Sequence, residues 1–299
     1  MRVSLIIPVY NAASYLKRCL DSALCQTKSF QEIVVIDDGS HDRSGEIIAD
    51  YCKAYPGVLK SKRIDNSGAS RARMTGLDMA TGDYVMFLDA DDSIAPDYLE
   101  SYLSQTERGV GFYATSTKNG MVSGQEYANL LLNETRYWGL VRKLYSTSIF
   151  RKYGSKLLDV PRHLNIGEDV IANIRIALLQ KKIKKISYDG YIDGGNAKST
   201  TRSRDWSLEY ERELLAAIRN ELGEYVDEKA FWLRELRAYR SLVLHSRESK
   251  HKLNAYRKEL HAKRPSGMRL CLSDAVFAHC GNLGLLKLLY GGIKSIKRR

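Results

Sequence analysis

The stretch Tyr84-Val-Met-Phe-Leu-Asp-Ala-Asp-Asp92 decides the reading of the chain, because a run of strand-favouring apolar residues stops in three acids. A continuous apolar run of that kind reads as a buried strand. A strand ending in Asp89, Ala90, Asp91 and Asp92 brings several carboxylates to one edge of a sheet, where their mutual repulsion calls for a cation. Two hard oxygen ligands suit Mg²⁺ or Mn²⁺, which keeps waters and takes its remaining ligands from substrate phosphates. The expectation is a metal-diphosphate site on these acids. The competing reading is a solvated acidic turn, with Asp92-Ser93 capping a helix that begins near Pro96.

Working outward, the same plan of strand, polar loop and helix precedes the acids three times. Val3 to Ile7 is a β-branched run ended by Pro8, with a helical pattern through Leu24. Ile33-Val-Val-Ile36 is a second apolar run, ending in Asp37-Asp-Gly-Ser40 before a helix over about 42–54. A weaker strand over 58–64, the loop Asn66-Ser-Gly-Ala-Ser70 and a helix from Arg71 to Ala80 complete the third unit. Strands without alternation, separated by helices of about a dozen residues, predict an α/β fold with a mainly parallel sheet covered by helices on both faces. Ligands of such sheets sit outside the carboxyl ends of the strands, where Pro8-Val-Tyr-Asn11, Asp37-Asp38 and Asp89-Ala-Asp91 all fall.

Beyond Pro96 the pattern loosens. Helices are expected over 97–104 and 125–132, an irregular Gly/Ser-rich stretch over 109–124, a helix opened by Gly167-Glu-Asp169, and one strand within 183–192. From Leu208 to about His261 helix formers dominate, with Leu214, Leu215, Ile218, Leu222 and Val226 at helical spacing. Trp138 and Tyr145 are candidates for stacking on acceptor sugars or for the core.

Taken together and in order, Ile6-Ile-Pro-Val-Tyr-Asn11, Ile36-Asp-Asp-Gly-Ser-His-Asp42, Asn66-Ser-Gly-Ala-Ser-Arg-Ala-Arg73, Phe87-Leu-Asp-Ala-Asp-Asp92 and Gly167-Glu-Asp169 resemble the motifs of family 2 inverting glycosyltransferases. The resemblance covers about residues 1–205. It implies the GT-A type, Rossmann-like fold and sugar transfer from a nucleotide diphosphate donor, UDP-hexose or UDP-N-acetylhexosamine. The implied acceptor is a hydroxyl of a glycan or lipid-linked oligosaccharide of a bacterial surface polysaccharide, such as lipopolysaccharide or capsule.

Residue by residue, the resemblance places Pro8, Val9, Tyr10 and Asn11 under the nucleobase, with Asp38 on the N3–H of uracil. Gly68 and Arg73 would meet the donor, with the Arg73 guanidinium near the diphosphate. Asp91 would be the principal metal ligand, with Asp89 and Ala90 beside the ribose and metal-bound water. Asp169 would be the base that deprotonates the acceptor, with Glu168 its partner. Asp42 is read as the cap of the helix that follows it. Met74 stands where the family often has Asn, and Lys198-Ser-Thr-Thr-Arg202 where relatives carry a loop over the diphosphate.

Charge and cysteines bound the remaining readings. Of the net charge of +12, residues 250–299 account for most, with 12 Lys and Arg against Glu259 and Asp274. Over 283–297, Lys287, Lys294 and Lys297 face one side of a helical projection and Leu285, Leu289, Ile293 and Ile296 the other, as in an interfacial helix or in a packed terminal helix with a solvated basic face. Each cation near an anionic leaflet adds about 1 kcal/mol. The chain therefore divides into 1–205 (a nucleotide-sugar half, 1–95, and an acceptor and catalytic half, 96–205) and a helical C-terminal extension, 206–299, with a basic tail. Five cysteines without C-x-x-C spacing read as reduced, buried thiols. Val3–Pro8 shows no leader pattern and no segment has membrane-spanning length, which predicts a cytoplasmic protein peripheral on the inner face of the cell membrane. Two other functions compete. Asp89-Ala-Asp91-Asp-Ser93 approximates the signature of haloacid-dehalogenase-like phosphatases, but that motif normally follows the first strand of its domain. A nucleic-acid-binding protein would use the basic tail and leave the acidic rim unexplained, so no nucleic-acid partner is expected.

Overall fold

The computed structural model describes residues 1–133, 138–164, 167–195, 207–270 and 272–280. Two compact units emerge: Met1–Ala128 with Arg136–Ser199, and Asn129–Thr135 with Thr200–Arg299.

In the first unit, β1 (Val3–Val9), α1 (Ala13–Leu24), β2 (Glu32–Asp37), α2 (Ser44–Ala54), β3 (Leu59–Arg63), α3 (Ala69–Met79) and β4 (Tyr84–Phe87) follow one another. The strands lie in the order β3-β2-β1-β4, all parallel. Parallel neighbours need a crossover, which each intervening helix supplies, and both faces are then covered. This explains why β2 is buried at every position and why its Ile33–Ile36 segment reads as an unbroken apolar run. Alternation along the strands sorts the two faces. Leu5, Ile7, Val35 and Met86 join Leu16, Cys19 and Leu20 of α1 and Ile48 of α2 in one cluster. Ile6 and Ile36 face α3 instead, where Gly76 packs so closely that a Cβ would collide with Ile6 Cγ2.

Pro8, expected to end its strand, lies inside β1. The ladder from β1 to β4 stops at Ile6–Phe87, whereas the ladder to β2 runs on to Val9–Asp37. With one flank already unpaired, a residue lacking an N–H is tolerated.

The chain continues through β5 (Ser93–Ile94), α4 (Tyr98–Leu103), β6 (Phe112–Thr115), β7 (Gly120–Val122), α5 (Gly124–Asn133, assigned to the second unit from Asn129), β8 (Lys143–Ser146), α6 (Thr147–Tyr153), α7 (Glu168–Leu178), β9 (Ile183–Ile186) and β10 (Tyr191–Ile192). Beyond β4 the sheet runs β8-β6-β9-β7, with β8 antiparallel to both neighbours and β6 parallel to β9. The fold is thus the expected α/β type, parallel in its first half and mixed in its second. Two strands, β6 and β7, occupy the stretch read as irregular. The segment read as one strand over 183–192 divides in two, and β10 leaves the main sheet to pair antiparallel with β5. That pairing overturns the helix-cap reading of Asp92-Ser93, since Ser93 belongs to a strand and α4 begins only at Tyr98.

The second unit is helical in its described residues: α8 (Leu208–Leu222), α9 (Glu228–His245), α10 (Lys250–Ala262) and α11 (Leu272–His279). Ser207, Asp227 and Ser249 accept backbone N–H groups at the starts of α8, α9 and α10, which satisfies donors a helix leaves open. Trp232, Tyr239 and Leu242 of α9, Leu253 and Leu260 of α10, and Phe277 and Ala278 of α11 form its core. Val226, read as part of the α8 pattern, falls between helices. Of the cysteines, Cys19 is buried as expected, Cys52 and Cys280 are half-buried, and Cys25 is exposed because it sits at the end of α1. Among the described residues no helix is long and apolar enough to cross a membrane. Cys271 and the basic tail 283–297 lie outside the described residues, as do Asn165, Ile166 and Lys198–Arg202.

Candidate active site

The carboxyl ends of β1, β2 and β4 meet on one rim, as strand order in a parallel sheet requires. Tyr10 leaves β1 with its ring 48% exposed, beside a half-buried Pro8. Val9 is a core residue, 1% exposed, so its side chain is withdrawn from any ligand and only its carbonyl reaches the rim, accepting the Asp38 N–H at 2.8 Å. Asn11 adopts φ +49°; its N–H donates to Ser40 Oγ at 3.0 Å and its Oδ1 accepts the His41 N–H at 2.8 Å. The left-handed turn therefore ties the end of β1 to the loop after β2.

Asp38 is 3% exposed and turned inward. Its Oδ1 accepts the Ser67 N–H at 2.7 Å and its Oδ2 the Gly68 N–H at 2.8 Å. It shapes the loop before α3, and each oxygen keeps one further lone pair for a ligand donor. Asp42 behaves as a double tether, taking the N–H of Ser44 at the start of α2 and that of Ala13 at the start of α1. Sequence reading missed Arg63, whose guanidinium binds the Asp37 carboxylate and the Ser40 carbonyl at the mouth of a surface recess of about 510 Å³ lined by Arg63, Ile64 and Asp65.

The acidic turn is held from two sides. Asp92 N–H closes it on the Asp89 carbonyl at 3.0 Å, and Arg18 of α1 donates to the Asp91 carbonyl at 2.7 Å. Ala90 is a core contact, 7% exposed. Asp92 is spoken for: Oδ2 accepts from Tyr191 OH at 2.6 Å and Oδ1 from the Gly194 N–H at 2.7 Å. Burial pushes its carboxyl up to about 6, against both hydrogen bonds. Asp89 and Asp91, like Asp92, are partly exposed. Among the described residues no group of three or more metal-ligating side chains occurs. Two hard oxygen donors fit Mg²⁺ or Mn²⁺, ions that complete their shells with water and substrate phosphate.

Arg73 joins this turn to the second acidic motif. It is 4% exposed, and its Nη2 donates to Asp89 Oδ1 at 2.9 Å while its Nη1 donates to Asp169 Oδ1 at 3.0 Å. The fork expected to face the diphosphate is thus already shared between two carboxylates. Burial opposes its charge, but Asp169, Asp89 and Glu168 outweigh that and hold its pKa above the ordinary arginine value. Glu168 and Asp169 fall in the first turn of α7, as expected. Burial and the neighbouring Asp169 push Glu168 up to about 8. Burial also raises Asp169, with Arg73 pulling it back down.

Asp169 Oδ2 accepts the Leu140 N–H at 3.2 Å. One turn along α7, Asn173 is fully buried, donates to the carbonyls of Trp138 and Gly139, and accepts from Tyr145 OH at 2.7 Å. Tyr145 is 0% exposed and packs in edge-on and tilted contacts among Phe87, Phe112 and Phe150, which removes it as an acceptor platform; Trp138 is half-buried. Lys143 is buried beside the same turn and donates to the Gly139 and Val141 carbonyls. Burial drags its ammonium down to about 7, with Asp169 pulling it up. Asn173 was findable, since i and i+4 share a helix face; Lys143 was not, because a lysine in a short strand reads as a surface residue.

The profile described as "Glycosyl transferase family 2" matches residues 4–167. Glycosyltransferase GlyA of Streptococcus pneumoniae serotype 4 is 31% identical over 245 residues, 73% of this chain and 34% of that protein. The uncharacterized glycosyltransferase EpsJ of Bacillus subtilis is 32% identical over 219 residues, 67% of this chain and 62% of its own length. The chain thus spans only part of the curated relatives it matches. The crystal structure of S. aureus TarS 1–349 in complex with UDP-GlcNAc shares the fold at a TM-score of 0.65 and 19% identity, covering 98% of this chain and 92% of that one.

Proposed function

The chain belongs to glycosyltransferase family 2, and on that premise we propose that it is an inverting transferase. It moves a sugar from a UDP-hexose or UDP-N-acetylhexosamine donor to a hydroxyl of a glycan or lipid-linked oligosaccharide in bacterial surface polysaccharide synthesis. The observation that carries the reading is the Arg73 bridge, with Asp89 and Asp169, remote in sequence, on the two arms of one buried guanidinium. A donor-side acid and an acceptor-side base within one side chain's span is the arrangement a single displacement needs. Support for UDP comes from the TarS structure, which is a complex with UDP-GlcNAc.

In this reading Asp91 and Asp89 hold Mn²⁺ or Mg²⁺, which when bound compensates the charge that develops on the leaving diphosphate. Pro8, Tyr10 and Asn11 form the floor under the base, and Asp38 with Gly68 holds the loop that faces it. Asp169 takes the proton of the attacking hydroxyl from the face opposite the leaving group, which is why the anomeric centre inverts. Burial and the neighbouring Asp169 raise Glu168 to about 8, while the Arg73 guanidinium opposes the effect of burial on Asp169 and favours its charged form, the form a base needs. Residues 1–205 carry donor binding and chemistry, and 206–299 form the C-terminal appendage. Its basic tail contacts an anionic membrane surface and keeps the protein peripheral on the cytoplasmic face.

The test is thermal stabilisation by UDP and by GDP with and without Mn²⁺, followed by hydrolysis of a panel of nucleotide sugars. Metal-dependent stabilisation by UDP alone is expected, since a ligand bound only to the folded state raises its stability by mass action. Stabilisation by GDP and not UDP would overturn the donor assignment.

A further inference from the structure

Next to the acidic turn lies a strap, residues 189–194, whose attachments the transfer chemistry leaves unused. Arg142 anchors it. Its backbone adopts φ +60°, a region that L-residues occupy only when the surroundings over-determine it. The surroundings are specific: Nε donates to Asp189 and Nη2 to Asp193, each at 3.0 Å, and the guanidinium lies 4.3 Å from the centre of the Tyr191 ring. Arg142 is itself 7% exposed. A buried guanidinium in a strained backbone, forked between both ends of a six-residue strap and stacked on its middle, fixes where that strap can run.

The strap in turn fixes the acids. Tyr191, 5% exposed, points its hydroxyl at Asp92 Oδ2 and lies 3.4 Å from the Asp89 N–H, so one phenol touches both ends of the turn. The Gly194 N–H takes the other oxygen of Asp92. Gly194 lies so close that a Cβ there would collide with the Asp91 carbonyl and the Arg18 guanidinium. On the opposite side, α1 holds the same turn through Arg18 and Cys19, the latter at 3.6 Å from the Asp89 carbonyl. The turn is therefore clamped between α1 and the strap.

We propose that Arg142 and Tyr191 are positioning residues for metal binding, with Asp92 as their point of attachment: the strap they anchor holds the Asp89–Asp92 turn in the geometry that a divalent cation requires. This rests on the reading of Asp89 and Asp91 as metal ligands. Groups that orient ligands commonly change metal affinity by about 10–100-fold when removed. Tyr191→Phe deletes one oxygen and keeps the ring under Arg142. Arg142→Lys keeps a charge and loses the fork.

The experiment is Mn²⁺ titration of the whole chain, followed by the electron paramagnetic resonance of free Mn²⁺, alongside metal-free UDP affinity and the melting temperature. Asp91→Ala is titrated first and should abolish specific Mn²⁺ binding; if it binds as wild type does, the metal reading itself fails. With that reading intact, Tyr191→Phe should weaken Mn²⁺ binding by about 10-fold or more, while metal-free UDP affinity and melting temperature stay near wild type. Arg142→Lys should act in the same direction. Mn²⁺ affinity unchanged in Tyr191→Phe would overturn the proposal. So would a loss of UDP affinity and melting temperature in step with Mn²⁺ affinity, because that pattern marks general loosening of the fold.

Discussion

Asp169 has one oxygen on Arg73 and the other on the Leu140 amide, so its position is fixed before any substrate arrives. In Asp169→Asn the shape survives and the proton acceptor is lost. Turnover should fall by about 10²–10⁴-fold, the usual contribution of a general base, while calorimetric UDP affinity stays near wild type. Near-full turnover in Asp169→Asn with an inactive Glu168→Gln would reverse the roles of the pair. Glu168 also gives a stability signature. Its carboxyl is raised to about 8 by burial and by Asp169, so the folded state binds this proton more tightly than the unfolded chain does. The resulting stability is present at low pH and is lost as pH rises through about 8. Glu168→Gln removes the buried charge, so its melting temperature relative to wild type should increase between pH 6 and pH 9; a pH-independent difference would contradict the assignment. At this scale the sequence identified the acids, because Asp89, Asp91, Glu168 and Asp169 sit in ordered motifs. It hid their connection, because Arg73 lies 96 residues from Asp169 and no local pattern reports such a pairing.

Among the elements, α3 does two jobs: it carries Arg73 and it lies against β1 at Gly76. Gly76→Val must push Ile6 or the helix aside, and overpacking of this kind costs about 1–3 kcal/mol, measurable by urea denaturation. An unchanged midpoint would show that α3 is not seated as described. The loop before α3 depends on Asp38, which accepts two of its backbone N–H groups. Asp38→Ala should weaken UDP binding and leave Mn²⁺ affinity unchanged, since the metal acids belong to another strand. Equal UDP affinity would remove Asp38 from nucleotide recognition. Strands β1, β2 and β4 were legible because burial on both faces makes them continuous apolar runs. Strands β6 and β8 were not: Phe112-Tyr-Ala-Thr115 and Lys143-Leu-Tyr-Ser146 are short and chemically mixed, and Lys143 is buried through its bonds to the Gly139 and Val141 carbonyls. The division between β9 and β10 was equally hidden, since it depends on β10 pairing with β5.

For the whole molecule, the helical unit changes where a tail experiment has to cut. A cut near Lys263, just past α10, falls too early, because Phe277 and Ala278 of α11 are core residues and Asp274 binds Arg240 at 3.3 Å. Ending the chain at Lys263 removes them, and burying one large apolar side chain is worth about 1.5–3 kcal/mol, so the melting temperature should drop. Ending it after Cys280 should preserve the melting temperature and donor hydrolysis while abolishing co-sedimentation with anionic vesicles. Vesicle binding that survives this cut would refute the membrane role of residues 281–299. The central claim, a metal-dependent sugar transfer from UDP centred on Asp91, Asp89 and Asp169, is tested most directly by UDP release from a panel of UDP-sugars, with Mn²⁺ and with excess chelator. The account predicts release from one donor that needs Mn²⁺, stops on chelation and is absent in Asp91→Ala. Release that continues undiminished under chelation, or in Asp91→Ala, would contradict it.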